Sequence, residues 1–122
     1  MLEMSEKVKG QVAAVLRPTR EALAFGSAYA LIADPAHWVA GTAYADNTGS
    51  ATWKESATRF CAHGAMHFSG MTDGQRSYVD DFSNRLVGAP LMEVNDVRGR
   101  HQALRVMRGY AQEKGWELPK VA

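Results

Sequence analysis

Two histidines, His63 and His67, lie four residues apart in a stretch with helical periodicity. At this spacing both imidazoles project from one face of a helix, as two metal ligands do. A metal site needs at least one further ligand, and His37, His101 or an aspartate could supply it. No glutamate completes a zinc-protease pattern between the two histidines, and such a pair is more often the polar side of a helix. We therefore keep a metal site as an alternative and expect no cofactor.

Cys61 is the single cysteine of the chain. An internal disulfide and a cysteine-rich zinc site are therefore excluded, and a reducing compartment is expected. A nucleophile must lie within hydrogen-bonding distance of its base, whereas Cys61 and His63 point about 200° apart on a helix. Because Cys61 falls on the apolar side of its predicted helix, we expect it to be a small buried residue.

Three aspartates could perform acid–base chemistry if the fold brought them together, namely Asp34, Asp46 and Asp96. Each of them also has a structural explanation. Asp34 stands before a proline at a helix end, Asp46 can close a turn with the Asn-Thr-Gly sequence after it, and Asp96 can cap a helix. Aspartate is enriched at caps and turns whatever a protein does, so we prefer the structural interpretation.

Trp38, Tyr44 and Trp53 cluster in or next to a long stretch without helical period. Tryptophan and tyrosine are over-represented among the residues that anchor protein interfaces. These side chains are therefore our candidates for contact with a protein partner. The alternative is that they fill the open side of a helical bundle.

A basic ridge is predicted along the outer side of the last helix, formed by His101, Arg105, Arg108 and Gln112. It could contact phosphates or steer a partner electrostatically, with Arg105 and Arg108 as the candidate binding residues. No helix-turn-helix, zinc-finger or RNA-recognition pattern accompanies it. Phosphate-binding glycine loops and the serine-hydrolase motif are also missing from the sequence, so those chemistries have no support.

The composition indicates one ordinary globular domain over residues 1–122. Hydrophobic residues make up 46% of the 122 residues and charged residues 22%, which argues against disorder. The formal net charge of +1 gives no bulk attraction to nucleic acid or to an anionic membrane. No leader pattern opens the chain and no apolar run approaches the roughly 18 residues that span a bilayer. We expect a cytoplasmic protein without a membrane partner.

Periodicity, caps and breakers predict a mainly α fold, a compact bundle of four to five helices with one long loop or short β-ribbon. The helices are expected over residues 5–16, 18–34, 52–70, 72–88 and 97–115, with residues 1–17 fraying. Capping-box spacings at Thr52 and Thr72 set two of the starts, and the pair Asn95-Asp96 caps the last helix. Gly64 in mid-helix is expected to allow close approach of a neighbouring helix. The residues expected to face inward are Leu23, Phe25, Ala28, Tyr29, Ile32, Ala57, Phe60, Cys61, Gly64, Ala65, Phe68, Tyr78, Val79, Phe82, Leu86, Ala103, Leu104, Met107, Tyr110 and Ala111. The stretch from Pro35 to Ala51 could hold a strand pairing with residues 91–94.

Several segments between Glu21 and Ala111 resemble the pattern of a known family. They are Ile32-x-Asp34-Pro35-x-x-Trp38, Ala45-Asp46, Arg59-Phe60-Cys61-x-x-Gly64-Ala65, Asn95-Asp96 and Gly99-Arg100. In these positions the chain resembles a small domain of unknown function found in actinobacterial and bacteriophage genomes. The resemblance implies a compact helical unit of phage or mobile-element origin and transfers no catalytic role. Val94, where the family tends to have an aromatic residue, departs from it, and the segment between the third and last helices has no clear match.

Three function classes follow from these patterns. We expect a small non-enzymatic protein that acts by protein–protein contact, with inhibition of a host or defence protein, such as a CRISPR-type protein, as one form of it. The first alternative is a metal-dependent or acid–base enzyme that uses His63, His67 and a loop aspartate. The second alternative is a nucleic-acid-binding module that uses the basic last helix. The sequence leaves the oligomeric state open.

Overall fold

The computed structural model describes residues 18–121. Within them five α-helices, two short strands and two 3-10 turns follow one another. They are α1 (Arg20–Ala33), a 3-10 turn (Pro35–His37), β1 (Tyr44–Ala45), a 3-10 turn (Lys54–Ser56), β2 (Arg59–Phe60), α2 (Ala62–Phe68), α3 (Asp73–Val87), α4 (Leu91–Glu93) and α5 (Arg100–Lys114). The predicted mainly α fold with a short β-ribbon is confirmed. The helix predicted over residues 5–16 lies outside the described residues.

Helices α1 and α3 begin and end where local signals place them. The Thr19 hydroxyl accepts a hydrogen bond from the Ala22 amide at the start of α1, and Asp34 before Pro35 ends that helix. At α3 the capping box of Thr72 and Gln75 is present with both of its hydrogen bonds. Gly88 ends α3 in the left-handed conformation that a glycine adopts without strain.

The helix predicted to start at Thr52 is wrong. The backbone of this segment bonds across to the preceding one: the Thr52 amide donates to the Tyr44 carbonyl at 3.1 Å and the Thr58 amide to the Ala45 carbonyl at 2.9 Å. These tertiary hydrogen bonds overrule the local capping signal. The helix begins only at Ala62, capped by the Cys61 sulfur, which accepts from the Gly64 amide.

The β-ribbon exists, but its predicted partner was wrong. Strand β1 pairs antiparallel with β2, with Tyr44 opposite Phe60 and Ala45 opposite Arg59. Residues 91–94 are helical instead. Pro90 precedes α4 in an extended conformation, and α4 runs directly into a π-helical turn, Val94–Arg98. Leu91 and Val94 are fully buried, so burial in the core favours helix over strand here.

The predicted start of the last helix at Asn95-Asp96 is also wrong. Both residues belong to the π-helical turn, and Gly99, with a φ of 92°, separates that turn from α5. A residue with a side chain rarely adopts this conformation, so the glycine sets the break between the two helical segments. The inward face of α5 was predicted correctly; its buried residues are Ala103, Leu104, Val106, Met107, Tyr110 and Ala111.

An aromatic cluster occupies the core between α1, α3 and α5. The Tyr110 ring lies 5.4 Å from the Phe25 ring and 5.5 Å from the Phe82 ring, measured between centroids. Three apolar residues predicted to face inward are exposed instead, namely Leu23, Tyr78 and Leu86. The buried positions of α3 are Val79, Phe82 and Ser83, so its interior face is rotated away from the predicted stripe. Among residues 18–121, no helix is long and apolar enough to cross a membrane.

Gly64 sits where α2 crosses the backbone in front of β1. A Cβ atom at this position would lie 2.1 Å from the carbonyl oxygen of Ala43. Close approach was expected at this glycine, but the neighbour is an extended segment and not a helix. The contact fixes α2 against the ribbon, because a backbone carbonyl cannot move aside as a flexible side chain can.

We predict that Gly64→Ala destabilises the fold by about 3 kcal/mol or more, since overlap with a backbone atom outweighs the roughly 1 kcal/mol by which alanine favours a helix. Gly74→Ala in α3 is the control, because its nearest neighbour is the Thr72 hydroxyl at 4.0 Å. It should raise stability by up to about 1 kcal/mol. Urea denaturation measures both. A cost below about 1 kcal/mol for Gly64→Ala would show that the segments separate easily.

Tyr110 carries a second prediction. It is 1% exposed, and its hydroxyl finds no hydrogen-bond partner among the described residues. Burial raises its pKa to about 12, with Glu21 and Glu113 adding to the shift. Tyr110→Phe should therefore raise the free energy of unfolding by about 1 kcal/mol at neutral pH.

The alkaline range tests the same side chain independently. The unfolded chain ionises this tyrosine near pH 10 and the folded chain near pH 12, so the native state binds more protons between these values and loses stability as the pH rises. The advantage of Tyr110→Phe should thus grow from about pH 9 to about pH 11. A variant less stable than the parent at both pH values would reveal a partner for the hydroxyl.

Candidate partner-binding site

Trp53 is the most exposed large apolar side chain of the described residues, with 81% of its surface accessible. It lies in the loop from Asp46 to Thr58, which connects β1 to β2, at the residue before the 3-10 turn Lys54–Ser56. We call this segment the Trp53 loop. Its predicted role as an interface residue is compatible with this position, because an exposed indole is available for contact.

The Trp53 loop is held by its own hydrogen bonds. One carboxylate oxygen of Asp46 accepts from the Thr48 amide at 2.9 Å, the Thr48 hydroxyl at 2.6 Å and the Ser50 amide at 3.1 Å. The Thr48 hydroxyl bond, followed by the backbone amides, keeps the pKa of Asp46 below its usual value. The predicted turn at Asp46 is thus present. Farther along, the Thr58 hydroxyl donates to the Asn47 side chain at 2.7 Å.

Trp38 has a different role from Trp53. Its indole is half-buried against the core, and its Nε1–H donates to the Asn95 carbonyl oxygen Oδ1 at 2.8 Å. This tryptophan therefore belongs to the structural frame of the site. We expect replacement of Trp38 to lower the stability of the fold. From the sequence, Trp38 and Trp53 were both predicted to contact a protein partner.

Asn95 is fully buried, with 0% exposure, and its amide group makes four hydrogen bonds. Besides the Trp38 bond, Oδ1 accepts from the Ala62 amide at 3.0 Å. Nδ2 donates to the Val39 carbonyl at 3.1 Å and to the Asp96 carboxylate at 2.9 Å. One side chain thus joins the π-helical turn to the start of α2 and to the segment before β1.

Asp96 extends this network to Gly41, in the segment before β1. Its carboxylate accepts from the Gly41 amide at 2.9 Å as well as from Asn95. The predicted capping role of Asp96 at the last helix is therefore wrong, because the carboxylate faces the segment at Gly41 and not the amides of α5. The sequence pattern predicted Asn95 to cap a helix and did not indicate a structural centre. Residues 91–97 mix apolar and polar side chains, so no local signal marks Asn95 as buried.

Tyr44 and His67 form the polar edge of an aromatic surface next to the ribbon. The Tyr44 hydroxyl is hydrogen-bonded to the His67 Nδ1. Burial raises the pKa of Tyr44, and the nearby Arg76 partly opposes the shift. The Tyr44 ring packs edge-on against Phe60, which in turn contacts Phe68 at 4.8 Å between centroids. Phe68, predicted to be buried, is 49% exposed and adds apolar surface here.

The two histidines of the predicted metal pair bind different groups. His63 Nε2 is 2.8 Å from the Asp80 carboxylate on α3, and the same carboxylate oxygen accepts from the Leu91 amide at 3.1 Å. His67 contacts Tyr44 instead. Across residues 18–121, no group of three or more His, Cys, Asp or Glu side chains is arranged to hold a metal. The histidines thus tie α2 to α3 and to β1.

The aspartates considered for acid–base chemistry do not share a site. Asp34 accepts from the Ala36 amide, Asp46 holds its turn and Asp96 bonds Asn95 and Gly41. A groove of about 490 Å³ lies between α1 and the C-terminal segment, with Leu23 and Leu118 among its walls, and neither histidine lines it. Cys61 is buried as predicted, and burial raises the pKa of its thiol.

Arg105 and Arg108 lie exposed on α5, as the ridge prediction requires. The Arg108 guanidinium donates to the Tyr29 hydroxyl on α1 at 3.3 Å. The carboxylates that could neutralise them were Asp80, Asp81 and Glu113. Asp80 binds His63 and Glu113 lies 3.6 Å from Arg85, and within residues 18–121 no salt bridge joins Asp81 to either arginine. The ridge therefore keeps its positive charge. It lies on α5, whereas the Trp53 loop lies between β1 and β2.

Comparisons with models of protein families, with curated proteins and with solved structures find no match. Function must therefore be inferred from the side chains themselves. The resemblance to the actinobacterial and bacteriophage domain stays a prediction.

We predict that Asn95→Ala lowers the free energy of unfolding by about 3 kcal/mol or more. The substitution leaves the Trp38 indole N–H, the Ala62 amide and the Val39 carbonyl without their partner, and each unsatisfied buried group costs about 1–3 kcal/mol. Asp96→Asn is the control, since it keeps an acceptor for Gly41 on an exposed residue. Urea denaturation followed by tryptophan fluorescence measures both. Equal losses in the two variants would contradict a central role of Asn95.

Proposed function

We propose that this protein acts by binding another protein through the Trp53 loop. The observation that carries the proposal is the 81% exposure of an indole on a loop whose backbone is fixed by hydrogen bonds. A tryptophan that contributed to the core would be buried, as the Trp38 and Trp116 rings are in part. Aromatic anchors of this kind supply a large share of the binding energy in protein interfaces.

The order of the loop supports this function energetically. Binding costs free energy whenever side chains and loops must be immobilised, and a preformed loop avoids much of that cost. The Asp46 turn and the bond from the Thr52 amide to the Tyr44 carbonyl hold the chain before Trp53, and the bond from the Thr58 amide to the Ala45 carbonyl holds the chain after it. The indole itself has only two rotatable side-chain bonds. A rigid aromatic anchor on a rigid loop is typical of a recognition surface.

The neighbouring surface suits a protein partner better than a small molecule. Phe68 is half-exposed and His67 is exposed beside the half-buried Tyr44, which gives a mixture of apolar and polar groups typical of interfaces. Two grooves of the described residues lie elsewhere, lined by residues of α1, Pro35 and the C-terminal segment. We keep inhibition of a host or defence protein as one form of this function, and we propose that the protein acts in the cytoplasm.

The test is capture of a partner by the tagged full-length chain from a cytosolic extract, compared between variants by mass spectrometry. We expect one protein to be captured in a near one-to-one ratio and to be lost with Trp53→Ala. Truncation of an interface anchor costs about 2 kcal/mol or more, which corresponds to roughly a 30-fold rise in Kd. Tyr78→Ala is the control, because Tyr78 is also an exposed aromatic residue but lies on α3.

The captured protein is then purified and its Kd measured by titration calorimetry with each variant. Trp53→Ala should melt within a few degrees of the parent, since the indole has few contacts to lose. Trp38→Ala should unfold at lower temperature. Binding that is unchanged in Trp53→Ala, or equally weakened in Tyr78→Ala, would refute the Trp53 loop as the binding surface.

A further inference from the structure

The outer side of α5 carries a row of basic side chains, with Asp96 and Glu113 as the nearest acidic residues before and after it in the sequence. From Arg98 to Gln112 there are four arginines and one histidine, and no aspartate or glutamate. The basic ridge, His101, Arg105, Arg108 and Gln112, is exposed along its whole length. These positions are separated by four, three and four residues, so they form one stripe opposite the buried face of α5.

Two arginines that flank or belong to this ridge are positioned by neutral acceptors of α1. Arg100 donates through Nη1 to the Ala33 carbonyl at 2.6 Å, and Arg108 donates to the Tyr29 hydroxyl at 3.3 Å. These bonds orient the guanidinium groups without cancelling their charge. Within residues 18–121 no salt bridge joins Arg100, Arg105 or Arg108 to a carboxylate.

The ridge positions extend along the helix as contact with a linear polyanion requires. His101 and Arg108 are seven residues apart, which corresponds to about 10 Å along a helix, and Arg105 lies between them on the same stripe. Arg100 lies about 80° around the helix from Arg108, at the edge of this face. A nucleic-acid duplex carries one charge per about 1.7 Å of its axis, so several phosphates lie within that length. Arginine also offers planar, paired N–H donors that match the oxygens of a phosphate group.

We propose that this face of α5 binds the sugar–phosphate backbone of nucleic acid, independently of base sequence. The interaction is separate from the contact made by the Trp53 loop and does not depend on it. The guanidinium groups of Arg105 and Arg108 supply the attraction to phosphates, and Arg100 adds to it from the edge of the face. Binding of this kind releases counterions, so its affinity falls steeply with salt.

The experiment is fluorescence anisotropy with a labelled 20-base-pair DNA duplex and the full-length protein. We expect binding at about 20 mM salt, with a slope near −3 for the logarithm of the association constant against that of the salt concentration. A second duplex of unrelated sequence should bind equally well. Arg105→Gln should weaken binding roughly five-fold at about 20 mM salt and reduce the slope by about one.

Arg85→Gln is the matched control, since it removes the same charge from an exposed arginine on α3. It should leave both the affinity and the slope unchanged. Absence of binding at about 20 mM salt, or an equal loss in the two variants, would overturn the proposal. So would displacement of the duplex by polyglutamate as readily as by unlabelled duplex, because that result would assign the ridge to an acidic protein.

Discussion

The buried amide of Asn95 is the interaction on which the arrangement of this fold depends. An amide side chain can be placed in an apolar core only when its donors and acceptor are satisfied, and here three of its four bonds reach two distant segments, the one before β1 and the start of α2. The geometry of those bonds fixes where α2 begins, how the Trp38 indole lies and how the segment before β1 runs. Apolar packing is not directional, so by itself it would restrict the positions of these segments less than the hydrogen bonds do.

A second constraint acts on the other side of the same segments. The missing side chain of Gly64 lets α2 approach the Ala43 carbonyl, and the Cys61 amide donates to that carbonyl at 3.2 Å. Together with the Asn95 network, this contact anchors both strands of the ribbon. The Trp53 loop can therefore be ordered although its own residues are mostly exposed, because each of its ends continues into an anchored strand.

The two histidines of α2 show that metal-ligand spacing on a helix does not by itself make a metal site. His63 and His67 share a face, but each meets a partner from a different element, Asp80 on α3 and Tyr44 on β1. Such bonds join elements of secondary structure. The exposed Trp53 indole and the arginines of α5, which within residues 18–121 form no salt bridge with a carboxylate, are both suited to contact with another macromolecule.

The sequence by itself determined the helical class, the ends of α1 and α3, the core face of α5 and the burial of Cys61, since these depend on caps, breakers and periodicity within a few residues. Tertiary structure alone decided that Thr52 starts no helix, that Asn95 is a buried centre and that Trp38 and Trp53 differ. Those outcomes depend on which distant backbone groups offer hydrogen bonds, as Tyr44 does to Thr52. Hydrogen bonds between distant segments produce no periodic pattern in a single sequence. The sequence could therefore indicate candidate residues such as Trp38 and Trp53, but it could not assign the different role of each.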